Sequence, residues 1–248
     1  MAQATKQKRV CILTGAAGTL GATFCRLHAD KYNIVGVYRS KPPRVATQDQ
    51  TFVDPLRLKA ALPENRNRIF AVQADLSDDR ELGRIVDLTL ARYERVDLLV
   101  NAAVHYTFGG IMDGDHLLDS VSRQFQVNVI VPLKLAAMVA RKYWRDRDRG
   151  NRRANRNVVN VSSTSGLHVY EGVGQSVYGT SKAALNFLTK HMAMEFQAFG
   201  IRVNATAPAS FPETVTTESV ANSILRLDRG TMNGKVLVLD ESGERLTA

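Results

Sequence analysis

Cysteine is scarce. The 248 residues contain two, Cys11 and Cys25, both in apolar surroundings, too few for a disulfide scaffold or a four-cysteine zinc site. Long apolar runs are missing too. No stretch approaches the roughly 18 residues that a membrane span needs, and the run at residues 10–14 is far shorter than a signal-peptide core. The five histidines, His28, His105, His116, His168 and His191, show no metal-ligand spacing, so no metal is expected. No Gly-x-Ser-x-Gly elbow occurs, which removes the local signature of a Ser-His-Asp hydrolase. No internal repeat, low-complexity linker or composition break marks a second domain. These absences read as a soluble, reducing, cytoplasmic protein without membrane association.

What is present is ordinary in bulk: 44% hydrophobic and 23% charged residues, which excludes wholesale disorder. The net charge of +9 is local. Residues 141–156 hold eight basic side chains (Arg141, Lys142, Arg145, Arg147, Arg149, Arg152, Arg153, Arg156) against Asp146 and Asp148. With no apolar period after Trp144, the segment reads as a helix end running into a solvated connection. Aromatic interleaving is limited to Tyr143 and Trp144, less than a single-strand binder needs, and no nucleic acid is expected.

Short apolar blocks alternate with longer helical patterns from end to end. The strand candidates are residues 10–14, 34–38, 69–73, 96–100, 157–161, 202–205 and 235–239. Most are continuous runs of Val, Ile and Leu, the pattern of strands buried on both faces of a parallel sheet. Asp54-Pro55 supplies a cap and first-turn proline for a short helix stopped by Pro63, and Ser77-Asp78-Asp79 places a cap and acids at the start of another. A long helix is expected over residues 115–145, interrupted near Pro132, and another over 176–198, stopped at Gly200. Parallel strands need crossovers, and helices must cover both faces. The fold expected is therefore α/β: a single-domain, Rossmann-type doubly wound parallel sheet of about seven strands, residues 1–248, with a polar tail at 1–8.

The first strand leads directly into Thr14-Gly15-Ala16-Ala17-Gly18-Thr19-Leu20-Gly21. Gly15 permits a tight turn, Gly18 lets the backbone approach a pyrophosphate, and Gly21 lets the helix pack close; the helix amino end offers N–H groups and a positive dipole. The second strand ends Tyr38-Arg39-Ser40, with Lys41 and Arg44 following and no acid between residues 31 and 48. An arginine there accommodates the extra phosphate of NADP, where an acid would suit NAD.

Further motifs follow in order. They are Gln73-Ala74-Asp75-Leu76, Asn101-Ala102-Ala103-Val104, Gln126-Val127-Asn128-Val129, Val159-Asn160-Val161-Ser162-Ser163, Tyr178-Gly179-Thr180-Ser181-Lys182, Ile201-Arg202-Val203-Asn204-Ala205 with Pro208, and Leu239-Asp240. Over essentially its whole length the sequence resembles the short-chain dehydrogenase/reductases. The resemblance implies a Ser-Tyr-Lys-Asn tetrad of Ser163, Tyr178, Lys182 and Asn128. It implies cofactor contacts from Gly15, Gly18, Thr19, Leu20, Gly21, Arg39, Ser40, Asp75, Leu76, Asn101, Ala102, Ala103, Tyr178, Lys182 and Pro208. Tyr178 and Lys182, four apart on a helix, point to one face. A phenol ionises near pH 10, and a nearby ammonium favours the phenolate. In the implied roles Tyr178 is the acid/base, Ser163 holds the substrate carbonyl, Lys182 holds the nicotinamide ribose and Asn128 holds a relay water.

The sequence also departs from the family's pattern. The glycine spacing also resembles that of the extended members, and Ala102 and Val104 replace an asparagine and a glycine. Tyr178 follows Ser163 by fifteen positions, two more than typical, so Ser165 competes for the serine role. The glycine after Pro208 is Ala209, and the threonine of that motif is displaced to Thr214. The segment 209–233 is short for a two-helix substrate lid and reads as a brief loop and one helix. That implies a site open to a bulky or carrier-bound ketone, or closed by a neighbouring subunit. The function implied is NADP-dependent reduction of a ketone or aldehyde. The alternatives are an isomerase or dehydratase using the nucleotide transiently, or a non-catalytic NADP-binding sensor. His105, Tyr106, His168 and Tyr170 are candidates for the substrate pocket. Apolar faces on the helices bearing Asn128 and Tyr178 (Leu133, Ala136, Ala137, Val139; Ala184, Phe187, Leu188, Met192) are compatible with a homodimer or tetramer.

Overall fold

The computed structural model describes residues 8–50, 62, 67–113 and 115–247. The expected helix after Asp54 and nearly all of the tail at 1–8 lie outside the described residues.

The apolar blocks form one sheet. Its strands are β1 (Arg9–Thr14), β2 (Tyr32–Tyr38), β3 (Phe70–Gln73), β4 (Leu98–Asn101), β5 (Asn157–Val161), β6 (Arg202–Pro208), β7 (Val236–Asp240) and β8 (Gly243–Leu246), in the order β3-β2-β1-β4-β5-β6-β7-β8. All pairings are parallel except that of β7 with β8. The eighth strand, Gly-Glu-Arg-Leu, is exposed throughout. A strand with no buried face has no apolar signature, so the sequence pattern stopped at β7.

Alternate residues of each buried strand feed opposite layers. Cys11 and Leu13 join Leu20 and Phe24 of α1 (Thr19–His28) and Val220, Ile224 and Leu227 of the final helix, Thr217–Arg229. Ile12 joins the other layer. It packs with Leu82 and Ile85 of α2 (Asp79–Tyr93), with Leu135 and Val139 on the stretch before β5, and with Met192 on the helix Ser176–Gln197. Asp78 caps α2 as its sequence suggested, accepting from the Arg80 N–H.

The long helix expected over 115–145 is segmented. It runs as α3 (Asp115–Asp119), α4 (Val121–Phe125), a π-helical turn at Gln126–Ile130, α5 (Val131–Val139) and a second π-helical turn at Ala140–Trp144. Pro132 has no N–H for the carbonyl four residues back, that of Asn128, and the wide turn sits where that bond is missing. Next comes α6 (Asp148–Arg153), then α7 (Ser176–Gln197), ended by Gly200 at φ +71°, and α8 (Thr217–Arg229).

The basic segment is not simply a solvated connection. Asn151 is buried, and its amide donates to the carbonyls of Trp144 and Phe199 (2.8 Å each). Arg156, also buried, pairs with Asp97 and donates to the Tyr143 hydroxyl. These contacts satisfy a turn of backbone that the charge pattern alone made look wet. Among the described residues no helix is long and apolar enough to cross a membrane.

Candidate active site

The carboxyl ends of β1, β4 and β5 lie level, with Thr14 beside Asn101 and Asn101 beside Asn160. The chain runs outward from β1 to β2 and then returns to β4, so the crevice beyond these ends is the topological switch point of the sheet. Thr14 Oγ1 accepts the backbone N–H groups of Ala102 (3.0 Å) and Ala103 (3.1 Å), pinning the loop after β4 against the glycine turn. Gly15 has φ +72°, and a Cβ there would lie 2.9 Å from the Ala102 carbonyl oxygen. A Cβ on Gly21 would run into the Gly15 carbonyl oxygen. Gly18 differs: a Cβ there meets nothing closer than 3.4 Å, so its smallness serves the open side of the turn rather than the protein's own packing.

That open side is a cleft of about 370 Å³. Gly15, Gly18, Arg39, Ser40, Asp75, Leu76, Ala102 and Ala103 line it, as do Lys41, His105 and Arg123. Asp75 is held below the usual carboxylate range first by hydrogen bonds from Ser77, then by Arg123 and Arg39. His105 is lowered by burial and by the same two guanidinium groups, so the cleft carries a positive field. Arg123 was not legible beforehand, because it sits mid-helix outside any motif. Other expected contacts lie outside the lining. Thr19 is exposed on the first turn of α1, while Leu20 and Pro208 are buried. Asn101 donates its amide to Asn160 (2.8 Å) behind the crevice.

The tetrad candidates gather at the carboxyl end of β5. Ser163 lies two residues past β5, as the cap of the short 3-10 turn Thr164–Gly166, close enough to the Tyr178 phenol on the first turn of α7 to ease its ionisation. One turn on, Lys182 is 2% exposed; its ammonium donates to the Val161 carbonyl (2.8 Å) and lies 5.7 Å from the Tyr178 ring centre. Burial dominates both groups. It raises the Tyr178 phenol above its ordinary value, an effect eased by the Ser163 hydroxyl, and it lowers Lys182 to about 7. An ammonium and an oxidised nicotinamide both favour the phenolate, whereas desolvation disfavours the charged form of Tyr178 and of Lys182 alike. Tyr106 and Phe108 stand edge-on to the Tyr178 ring, centres 6.3 and 5.5 Å away.

Asn128 sits on the first π-helical turn with both amide donors and its carbonyl oxygen bonded. It accepts from His105 N–H and donates to the His105 carbonyl (2.9 Å each) and to Ser181 Oγ (3.0 Å). Ser165 bonds to Ser163 and to Gln175, and Gln175 was not singled out from the sequence. His168 and Tyr170 are exposed on the loop that follows. Among the described residues no group of three His, Cys, Asp or Glu side chains could hold a metal ion. Residues 209–216 form the loop after β6, whereas α8 packs down onto α1 in the sheet layer.

A glycine-lined crevice at the switch point and a Tyr-x-x-x-Lys helix beside it define an α/β protein of the Rossmann type. The chain belongs to the short chain dehydrogenase family, whose model matches residues 9–224, a family of oxidoreductases. It is 33% identical over 220 residues to an A-factor type gamma-butyrolactone 1'-reductase of Streptomyces virginiae, covering 86% of this chain and 74% of that one. It is 27% identical over 222 residues to a 3-oxoacyl-[acyl-carrier-protein] reductase of Synechocystis, covering 88% and 80%. Among solved structures it resembles a short chain dehydrogenase/reductase family oxidoreductase from Brucella ovis in complex with a partially ordered NAD. The TM-score is 0.67 and the identity 26%, over 94% of this chain and 99% of that one.

Proposed function

We propose that the protein is an NADPH-dependent carbonyl reductase with Tyr178 as its acid/base. The observation that carries this reading is the grouping of Ser163, the Tyr178 phenol and a buried Lys182 at the carboxyl end of β5, two strands from a glycine turn that sterically requires glycine. The cradle fits a pyrophosphate: Gly18 is open where a ligand would approach, at the amino end of α1 with no side-chain cap, which leaves N–H groups for an anion. Arg39, Ser40 and Lys41 at the rim of the cleft favour the additional phosphate of NADP, and Asp75 would face the adenine.

NADPH, when bound, supplies the hydride. The protein's part is to place and polarise. Ser163 holds the carbonyl oxygen, Tyr178 gives it a proton, and Lys182 supplies positive charge below the phenol and a donor for the ribose hydroxyls. Asn128, with its side-chain amide bonded to His105 and Ser181, braces the cleft loop against α7.

With α8 folded down onto α1, residues 209–216 are the part of the 209–233 segment left to cover the site. This supports a substrate that is itself bulky or carrier-borne and apolar next to the carbonyl, where Tyr106 and Phe108 wait. A panel of aldehydes, small ketones and thioester-linked β-ketones, assayed with NADPH and NADH side by side, tests the reading. Net NADPH oxidation with the bulkier ketones is expected, and turnover without net oxidation would place the protein among the isomerases or dehydratases instead.

A further inference from the structure

Ser163 and Ser165 are consecutive links rather than rivals. Ser163 Oγ donates to Ser165 Oγ (3.3 Å) and accepts from the Ser165 backbone N–H (3.1 Å), and Ser165 Oγ donates to Gln175 Oε1 (2.8 Å). Gln175 immediately precedes α7, three residues before Tyr178, and its carbonyl accepts the Gly179 N–H (2.7 Å). A Cβ on Gly179 would lie 2.7 Å from the Ser165 carbonyl oxygen. The serine loop and the first turn of the tyrosine helix are therefore pressed together, with the two hydroxyls and the amide in a row along the seam.

We propose that the Gln175 amide is a positioning residue ending a reversible hydrogen-bond chain, Gln175–Ser165–Ser163, that sets whether the Ser163 proton points into the site or away from it. The proposal rests on the reading of Ser163 as the group that holds the carbonyl. A serine hydroxyl has one proton to give. In the arrangement described, both protons run toward Gln175 Oε1, and Ser163 presents lone pairs to the site, which suits an alcohol or the protonated phenol. A carbonyl oxygen needs a donor. Turning the amide about its last side-chain bond sets Nε2–H against Ser165 Oγ. Ser165 then donates to Ser163, and Ser163 donates outward. An amide offers donor and acceptor at equal reach without charge, whereas a carboxylate accepts only. The same chain thus serves the ketone and the alcohol, the two ends of one reversible reaction.

The test uses Gln175→Glu, which keeps the shape and, when ionised, holds both serine protons toward residue 175. Ketone reduction at neutral pH is expected to fall about 10- to 100-fold in kcat, the worth of one lost donor to a charged oxygen, with KM for NADPH little changed. Activity should recover as the pH is lowered through the titration of the new carboxyl. Ser165→Ala severs the chain, so Gln175→Glu added to it should change kcat by less than about twofold. The titratable groups around this row are Tyr178 with Tyr106 and Lys182 against its ring, and His168 and Glu171, exposed on the loop between Ser165 and Gln175, with Asp240 near His168. All are common to every variant, so the difference reports residue 175.

A second readout needs no turnover. The tyrosinate absorbance titration of Tyr178, taken as the difference from Tyr178→Phe, should move to higher pH in Gln175→Glu, because Ser163 can no longer donate to the phenolate. In the Ser165→Ala background only the smaller shift from the charge of the new carboxylate should remain. Equal effects in both backgrounds, or no effect in either, would overturn the relay. A wild-type protein that reduces no carbonyl, yet shows the titration shift with its Ser165 dependence, would sink the reductase reading and leave the relay standing.

Discussion

Lys182 and Tyr178 share one turn of helix and opposite demands on water. The ammonium is nearly sealed from solvent with the Val161 carbonyl as its bonded partner, and its folded-state value of about 7 lies well below the roughly 10.4 of an exposed lysine. Between those two pH values the unfolded chain binds the extra proton, so this residue makes stability rise with pH across the interval, and below about 7 its full penalty applies. Cys11, Cys25 and Tyr178, all raised by burial, act in the other direction at the alkaline end, so the effect is read as a difference between proteins. Lys182→Met is expected to be the more stable protein at pH 7, by an amount on the order of 4 kcal/mol that shrinks toward pH 10. Denaturant titrations of the two proteins at both pH values check this. Tyr178→Phe keeps the ring and its contacts with Tyr106 and Phe108 and loses the proton. It is expected to lower kcat/KM by roughly 100- to 10,000-fold while nucleotide affinity, followed by fluorescence, stays within a few-fold.

At the scale of elements, the glycine turn and the π-helical turn do comparable jobs by different means. Gly21 is where α1 touches the strand turn backbone to backbone, and a methyl group there has no flexible side chain to displace. Gly21→Ala is expected to push α1 outward, with a Tm drop on the order of 5–10 °C and loss of nucleotide binding, measured by calorimetry with and without NADPH. This position was legible from strand, glycine triplet and helix in series. The π-helical turn was legible only as an interruption near Pro132, since a proline announces a missing bond and not how the chain repairs it. That repair decides where Asn128 points, and so which partners its amide finds. The exposed β8 and the packed α6 were illegible for a related reason: a Gly-Glu-Arg-Leu edge and an Asp-Arg-Gly-Asn-Arg-Arg turn have no periodic apolar face to read.

For the whole molecule, two surfaces carry expectations. The helices α5 and α7 split between core and solvent. Ala136, Val139 and Met192 are buried within the chain, whereas Leu133 is exposed and Phe187 is 65% exposed, with Met194 open beside it. A self-associating face is expected there, and Phe187→Glu should shift the protein to monomer in light scattering without altering its far-ultraviolet dichroism. The positive rim of the cleft is the second surface. Arg39→Asp is expected to lower kcat/KM with NADPH by about 10- to 100-fold, as for loss of a charge-assisted bond, and to narrow or reverse the preference over NADH.

The order of apolar blocks, the glycine turn and the Tyr-x-x-x-Lys helix were determined by the amino-acid sequence alone, because local periodicity and fixed spacing are properties of a single stretch of chain. The tertiary structure decided the rest: that burial outweighs charge at Tyr178 and Lys182, that Asn128 braces a loop, that α8 packs down rather than over, and that two serines bond in series to Gln175. Each of these depends on which distant residues exclude water from a group or reach its hydrogen-bonding atoms, and no spacing along the chain encodes that.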